Sequence, residues 1–423
     1  MKTTSIAAIA ACALLAGCQQ VPQPETTTDA AGNTLVEWPL PAGAGAAQPD
    51  MSLAPDGRLL LSWIKPFDRT RHELQYTTFD TAGQWQWSPQ TIAVGASMVV
   101  NWADTPHIAA TADGTIWAHW LQKARGEGGV AAYDIIVSHS TDNGLHWSPP
   151  VRAHNDGKAV EHGFVSFWPA ADNKLGLAWL DGRNTAGGGH AGHDGEGGAG
   201  MTSLRAATIN VASQVADAVE VDATVCDCCG TDVAVTARGP LLAYRDRTVD
   251  EIRDIHVARL EDGAWRTLPA VHADNWKIAG CPVNGPAIAA VGNDAIVAWY
   301  SAANDVPKLQ VARSTDAGDS FAAPVVVDEG EAVQGRPDVA LDDKQAWVAW
   351  LREDASGQSL WLARYAPDLS RELSRTQVAA LQGRGRGTGF PKLVARNGEA
   401  FLVWTDIANG APYLQGMRVV PAR

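Results

Sequence analysis

Gln345-Ala-Trp-Val-Ala-Trp350 is a short apolar run that stops on an indole ring. A run of this length bounded by turn signals reads as a buried strand. The phrase recurs as Arg58-Leu-Leu-Leu-Ser-Trp63, Thr115-Ile-Trp-Ala-His-Trp120, Lys174-Leu-Gly-Leu-Ala-Trp179, Pro240-Leu-Leu-Ala-Tyr244, Asp294-Ala-Ile-Val-Ala-Trp299 and Glu399-Ala-Phe-Leu-Val-Trp404. It is usually preceded by Asp-Gly, Gly-Asn or similar turn residues. Successive end residues lie 57, 59, 65, 55, 51 and 54 positions apart. Each unit adds a strand before this one, such as Asp232 to Val235, and one or two after it, such as Ile255 to Ala258. Four antiparallel strands repeated at a steady period describe the blades of a β-propeller.

The last unit has only three strands before the chain ends, and Leu35-Val-Glu-Trp-Pro-Leu40 is stranded ahead of the first unit. Pairing the two closes the ring and removes exposed sheet edges. The expected fold is therefore all-β, a single propeller over residues 35–423, with seven blades, or six if one unit is rudimentary. The 17 tryptophans outnumber the 7 phenylalanines and 6 tyrosines together, because one recurs in almost every blade core. A net charge of -14 leaves no basic excess to release counterions from nucleic acid, so no nucleic-acid partner is expected. The expected state is a monomer.

Two turns between third and fourth strands carry a motif. Ser140-Thr-Asp142-Asn-Gly144-Leu-His-Trp147 and Ser314-Thr-Asp316-Ala-Gly318-Asp-Ser-Phe321 both read Ser-x-Asp-x-Gly-x-x-aromatic. Phe79-Asp80-Thr-Ala-Gly83-Gln-Trp85 and Leu260-Glu-Asp262-Gly263-Ala-Trp265 are degenerate copies. The Asp accepts amide bonds within its own turn, Gly takes a positive φ, and the ring packs beneath. These turns resemble the Asp box of sialidase-like, BNR-repeat propellers. The resemblance implies that Asp142, Gly144, Trp147, Asp316, Gly318 and Phe321 are structural, on the face opposite the active site; His146 goes with them.

The other rim is formed by the loops entering each blade and those between second and third strands. It carries Asp181 and Arg183 in the third blade, Arg245-Asp246-Arg247 with Glu251, Arg253 and Asp254 in the fourth, Arg352-Glu353-Asp354 in the sixth, and His107, His162, Asn284 and Arg336 at entering strands. The resemblance implies an exo-glycosidase acting on sialosides or other acidic glycans. Such an enzyme needs an arginine clamp for a carboxylate, an acid for the leaving oxygen, and a Tyr nucleophile activated by a carboxylate base. Arg245, Arg247 and Arg336 would supply the clamp, Asp246 or Asp181 the acid, and Glu251 the base. The sequence departs from the family in lacking a Phe/Tyr-Arg-Ile-Pro motif near the first blade. Neither Tyr300 nor Tyr413 has a neighbouring Glu to mark it as nucleophile. A solvated salt-bridge network is the alternative account of the same charges.

Four cysteines remain beyond the leader: Cys226, Cys228 and Cys229 in Val-Cys-Asp-Cys-Cys-Gly, and Cys281 in Gly-Cys-Pro-Val-Asn-Gly-Pro. Both groups precede the first strands of successive blades, so topology brings them to one mouth of the channel. Three chemistries stay open: disulfides, of which four cysteines allow three pairings, a redox thiol pair, or a Cu or Zn site. His190 and His193, in a Gly-rich loop of the third blade, are candidate further ligands. A noncatalytic propeller holding a transition metal or another ligand is thus the alternative function. The Cys-x-Cys-Cys run with Ala243-Tyr-Arg-Asp-Arg247 resembles a subgroup of exported bacterial sialidase-like proteins.

Lys2, the apolar stretch Ile6 to Ala16 and Leu15-Ala16-Gly17-Cys18 resemble a lipoprotein signal cut before Cys18, which would be acylated. The apolar stretch is too short to span a bilayer. Gln19 in place of Asp implies the outer membrane, facing periplasm or cell surface. Residues 1–17 are the expected signal and residues 18–34, rich in Pro, Thr and Ala, a flexible tether.

Overall fold

In the computed structural model, which describes residues 24–86, 88–124, 132–185 and 201–422, every Trp-ended phrase forms the second strand of an antiparallel sheet. Seven such sheets follow one another around a ring, six of four strands and one of five. The fourth blade, for example, runs Asp232–Thr236, Gly239–Arg245, Ile255–Glu261 and Ala264–Ala270. Seven blades, not six, are present among the described residues.

Each blade buries both faces, which is why the second strands read as continuous apolar runs. Seven apolar clusters occupy the seven seams, each joining two neighbouring blades. Trp63, Trp179, Trp299 and Trp350 are at most 1% exposed. An indole buries roughly 200 Å², on the order of 5 kcal/mol of transfer free energy. The seam between the last and first blades holds Trp38 stacked on Trp85, with Phe401 alongside.

Closure comes from the expected segment. Thr34–Glu37 pairs antiparallel with Ala411–Val420, in register from Thr34 opposite Val420 to Glu37 opposite Met417. The tether expected over residues 18–34 is corrected at its far end, because Thr26–Thr28 pairs with Thr34–Glu37 as a fifth strand. Three β-branched threonines suit a strand, and Asp29 closes the hairpin by accepting the Asn33 amide at 2.8 Å. Residues 1–23, including Cys18 and the leader, lie outside the described residues.

The inner strands are stitched across seams by carboxylates. Asp50, Asp104, Asp232 and Asp338 accept the amides of Ile108, Phe164, Ile288 and Leu393 in the next blade, at 2.7–2.8 Å. Asp50, Asp232 and Asp338 line a central channel of about 380 Å³, together with His107 and Lys392. On the outer turns, Gly144 and Gly318 donate to Ser140 and Ser314 at 2.8 Å. Asp142 and Asp316 accept the amides of His146 and Ser320 at 2.9 Å. Gly144 has φ +80°, and a Cβ there would run into the Tyr76 ring. These carboxylates satisfy their own turns.

Candidate functional site

The opposite rim gathers its chemistry around two loops. Val225-Cys-Asp-Cys-Cys-Gly230 enters the fourth blade and Cys281-Pro-Val-Asn-Gly285 the fifth, so adjacency of blades makes the cysteine loops neighbours. Gly285 sits so close to Gly230 that a Cβ on it would lie 2.1 Å from the Gly230 carbonyl oxygen. Only glycine permits that approach. Gly285→Ala is expected to push the loops apart at a cost of roughly 1–3 kcal/mol. Thermal unfolding would read the lower stability, and an unchanged midpoint would refute the contact.

Cys226, Cys228 and Cys229 are buried free thiols. The Cys226 sulfur lies 3.4 Å from that of Cys229 and 3.7 Å from that of Cys228. Cys281 is half-buried, and its sulfur, the Cys228 sulfur and an Asp227 carboxylate oxygen all fall within 4.8 Å of one another. Cys281 thus comes near Cys228 of the triplet, with no disulfide among the four. Arg253 donates to the Cys226 sulfur at 3.3 Å, and the Asn284 amide donates to that of Cys229 at 3.5 Å. Hydrogen bonds from Cys228 and Cys229, with the neighbouring guanidiniums, pull the Cys226 thiol well below its usual range. Burial pushes Cys229 up to about 12.

The arginines expected to clamp a carboxylate are committed elsewhere. Arg245 is buried, and its fork donates to the carbonyls of Asn284 at 2.8 Å, Tyr300 at 2.7 Å and Arg253 at 2.7 Å. It is a strut between blades. Arg336 is buried against Trp102, 4.8 Å from the ring, and donates to the Gly385 and Gly389 carbonyls at 3.1 and 2.9 Å. Arg247 pairs with Glu251, whose carboxylate also takes Arg253 at 2.8 Å. Glu251 is thereby held below the usual range despite partial burial, a poor setting for a base. Asp181 accepts from Trp179 at 2.7 Å and Arg183 at 2.7 Å and stays ionised, so it is not poised to donate a proton. Burial raises Asp246, which faces His256 at 3.7 Å. Of the expected clamp and base, Arg247 and Glu251 pair with one another, while Arg245 and Arg336 spend their forks on main-chain carbonyls.

A cleft of about 500 Å³ opens beside Cys281, between the loops of the fifth, sixth and seventh blades and Trp102 ahead of the second. Its walls carry Cys281, Trp102, Glu353, Arg384 and Arg386 besides Arg336. Arg386 lies over the Trp102 ring at 5.7 Å, and half-exposed Arg384 pairs with Glu353 at 3.2 Å. Arg384 and Arg386 went unnoticed in the sequence, although Gly383-Arg-Gly-Arg-Gly387 enters the seventh blade on this rim. Asn284 links cleft and cysteines: its side chain accepts the Arg336 amide at 2.7 Å while its own amide faces Cys229. His190 and His193 lie outside the described residues.

No protein-family profile matches the sequence, and no curated protein matches it. Solved structures share its fold. A protein of unknown function from Dyadobacter fermentans DSM 18053 aligns over 90% of this chain and 95% of its own, at 13% identity and a TM-score of 0.51. The polysaccharide lyase Uly1 aligns over 91% of each chain at 9% identity and TM-score 0.47. An α-L-arabinanase from Penicillium chrysogenum aligns over 94% of this chain and 99% of its own at 11% identity and TM-score 0.42. At such identities the likeness is one of propeller fold, on which many functions are built.

Proposed function

We propose that this propeller binds a soft transition-metal ion, Cu(I) or Zn(II), through Cys226, Cys228 and Cys229, with Cys281 as a further donor at the cleft. The observation that carries the reading is the convergence of three buried free thiols. Two sulfurs held by one ion at about 2.3 Å stand about 3.8 Å apart in a tetrahedral site, close to the 3.4 and 3.7 Å found here. A disulfide would need about 2.05 Å. All-sulfur donors select soft ions. Arg253 and the Asn284 amide serve as the outer partners that fix the ligands. Elemental analysis with thiol counting on anaerobically purified protein tests this: one ion and four thiols per chain are expected, and two disulfides without metal would contradict it.

The cleft favours a second reading, an acidic ligand such as a sialoside or another acidic glycan held by Arg384 and Arg386 beside Trp102. Guanidiniums grip carboxylates through paired bonds and indoles stack on sugar faces. An exo-glycosidase of the sialidase type would work from this space. Calorimetry with a sialoside tests it, and absence of heat would sink it.

We also propose that acylated Cys18 anchors the propeller to the outer membrane. Cys18→Ser is expected to move the protein from membrane to soluble fractions with its unfolding midpoint unchanged, since the leader lies ahead of the first strand. An unaltered distribution would contradict the anchor.

A further inference from the structure

A second donor cluster lies between the second and third blades. Asp134 stands in the third strand of the second blade (Tyr133–Ser140), His154 in the connection after that blade's fourth strand (Val151–Arg152), and His162 opens the third blade (His162–Pro169). Their side chains are 7%, 1% and 0% exposed. The two imidazoles stack with centroids 3.6 Å apart and 13° between planes.

Neither ring nitrogen of His154 has a hydrogen-bond partner. The nearest carboxylate oxygens are those of Asp134, 3.4 Å from Nε2, and Asp156, 3.5 Å from Nδ1. Buried polar atoms are rarely left so, and a partner such as an ion or water is the usual resolution. His162 presents the complementary oddity. Its Nε2 faces Asp156 at 2.8 Å and its Nδ1 faces the Tyr133 carbonyl at 3.3 Å. Both partners are acceptors, so neutral His162 can serve only one.

The charges complete the case. Asp134, Asp156 and Asp181 supply three negative charges, against which stand Arg152, 2.9 Å from Asp134, and Arg183, 2.7 Å from Asp181. Arg183 also lies 3.3 Å from Asp156, so two guanidiniums face three carboxylates.

We infer that His154, His162 and Asp134 hold a divalent first-row transition ion, separate from the sulfur site. One donor atom of each already lies within 4.8 Å of the other two. Bonds of about 2.0–2.2 Å would bring them to roughly 3.4 Å apart, the rings tilting out of their stack to face the ion. Asp156 would then receive the remaining N–H of both rings, the carboxylate–histidine–metal arrangement that orients imidazole ligands. Imidazole and carboxylate suit Zn(II), Co(II), Fe(II) or Mn(II) rather than Cu(I).

The test is a Co(II) titration of the full chain after one equivalent of Cu(I) has been added to occupy the thiols. Visible ligand-field bands without near-ultraviolet sulfur charge transfer are expected, with one cobalt bound per chain. The bands are expected to persist in Cys228→Ser and to vanish in His154→Asn. A folded wild-type protein that shows no such bands, or shows them only with sulfur charge transfer, would overturn the site. That result would point to water between the histidines and would leave the Cu(I) stoichiometry, and with it the sulfur reading, untouched.

Discussion

Arg245→Ala is expected to destabilise the propeller severely, by roughly 3–5 kcal/mol. Its guanidinium serves the carbonyls of Arg253, Asn284 and Tyr300, and removing it strands those acceptors in a buried seam. Arg245→Lys is expected to rescue little, because one ammonium cannot reproduce a planar fork spread over three oxygens. The fall should appear in the thermal midpoint, or in the rate of inactivation if unfolding is irreversible. A clamp residue free to meet substrate would behave otherwise, losing binding while the midpoint stayed put. That pattern would restore the catalytic reading of Arg245.

Cys226→Ser and Cys228→Ser are each expected to lower affinity for Cu(I) by more than about 100-fold, beyond what loss of an outer partner does. The Cys226 sulfur lies within 3.7 Å of both neighbouring sulfurs, and Cys228 belongs to both groups of neighbouring cysteine donors. Cys281→Ser should cost less, since its sulfur stands at the cleft edge. Competition against a chromophoric Cu(I) chelator measures all three. Equal and small effects throughout would mean that the ion sits elsewhere.

Much of the fold was legible because a propeller repeats itself. Six Trp-ended strands and one ending in Tyr244, a three-stranded final unit and an orphan Leu35-Val-Glu segment specified blade number and closure together. The nearness of Cys281 to Cys228 has the same origin, since residues entering adjacent blades share one mouth of the channel. What stayed hidden depends on directions that topology does not set. Arg245, Arg247 and Arg336 reach the right rim, yet two forks turn into main-chain carbonyls and the third into Glu251. The run Thr26-Thr-Thr28 read as tether because Pro and Thr dominate its surroundings, whereas it forms a hairpin with Thr34–Glu37, a strand held in place by its long-range pairing with Ala411–Val420. His154 carries no motif. Only the fold stacks it on His162, and only coordinates reveal that both its nitrogens lack partners.

The central claim is that sulfur from the fourth and fifth blades surrounds one soft ion. X-ray absorption at the metal edge of protein loaded anaerobically with one equivalent of Cu(I) or Zn(II) tests it most directly. The account predicts a shell of three or four sulfurs at about 2.3 Å, reduced by one in Cys226→Ser. A shell of nitrogen and oxygen alone, or an ion that washes away from protein whose four thiols are reduced and intact, would contradict it.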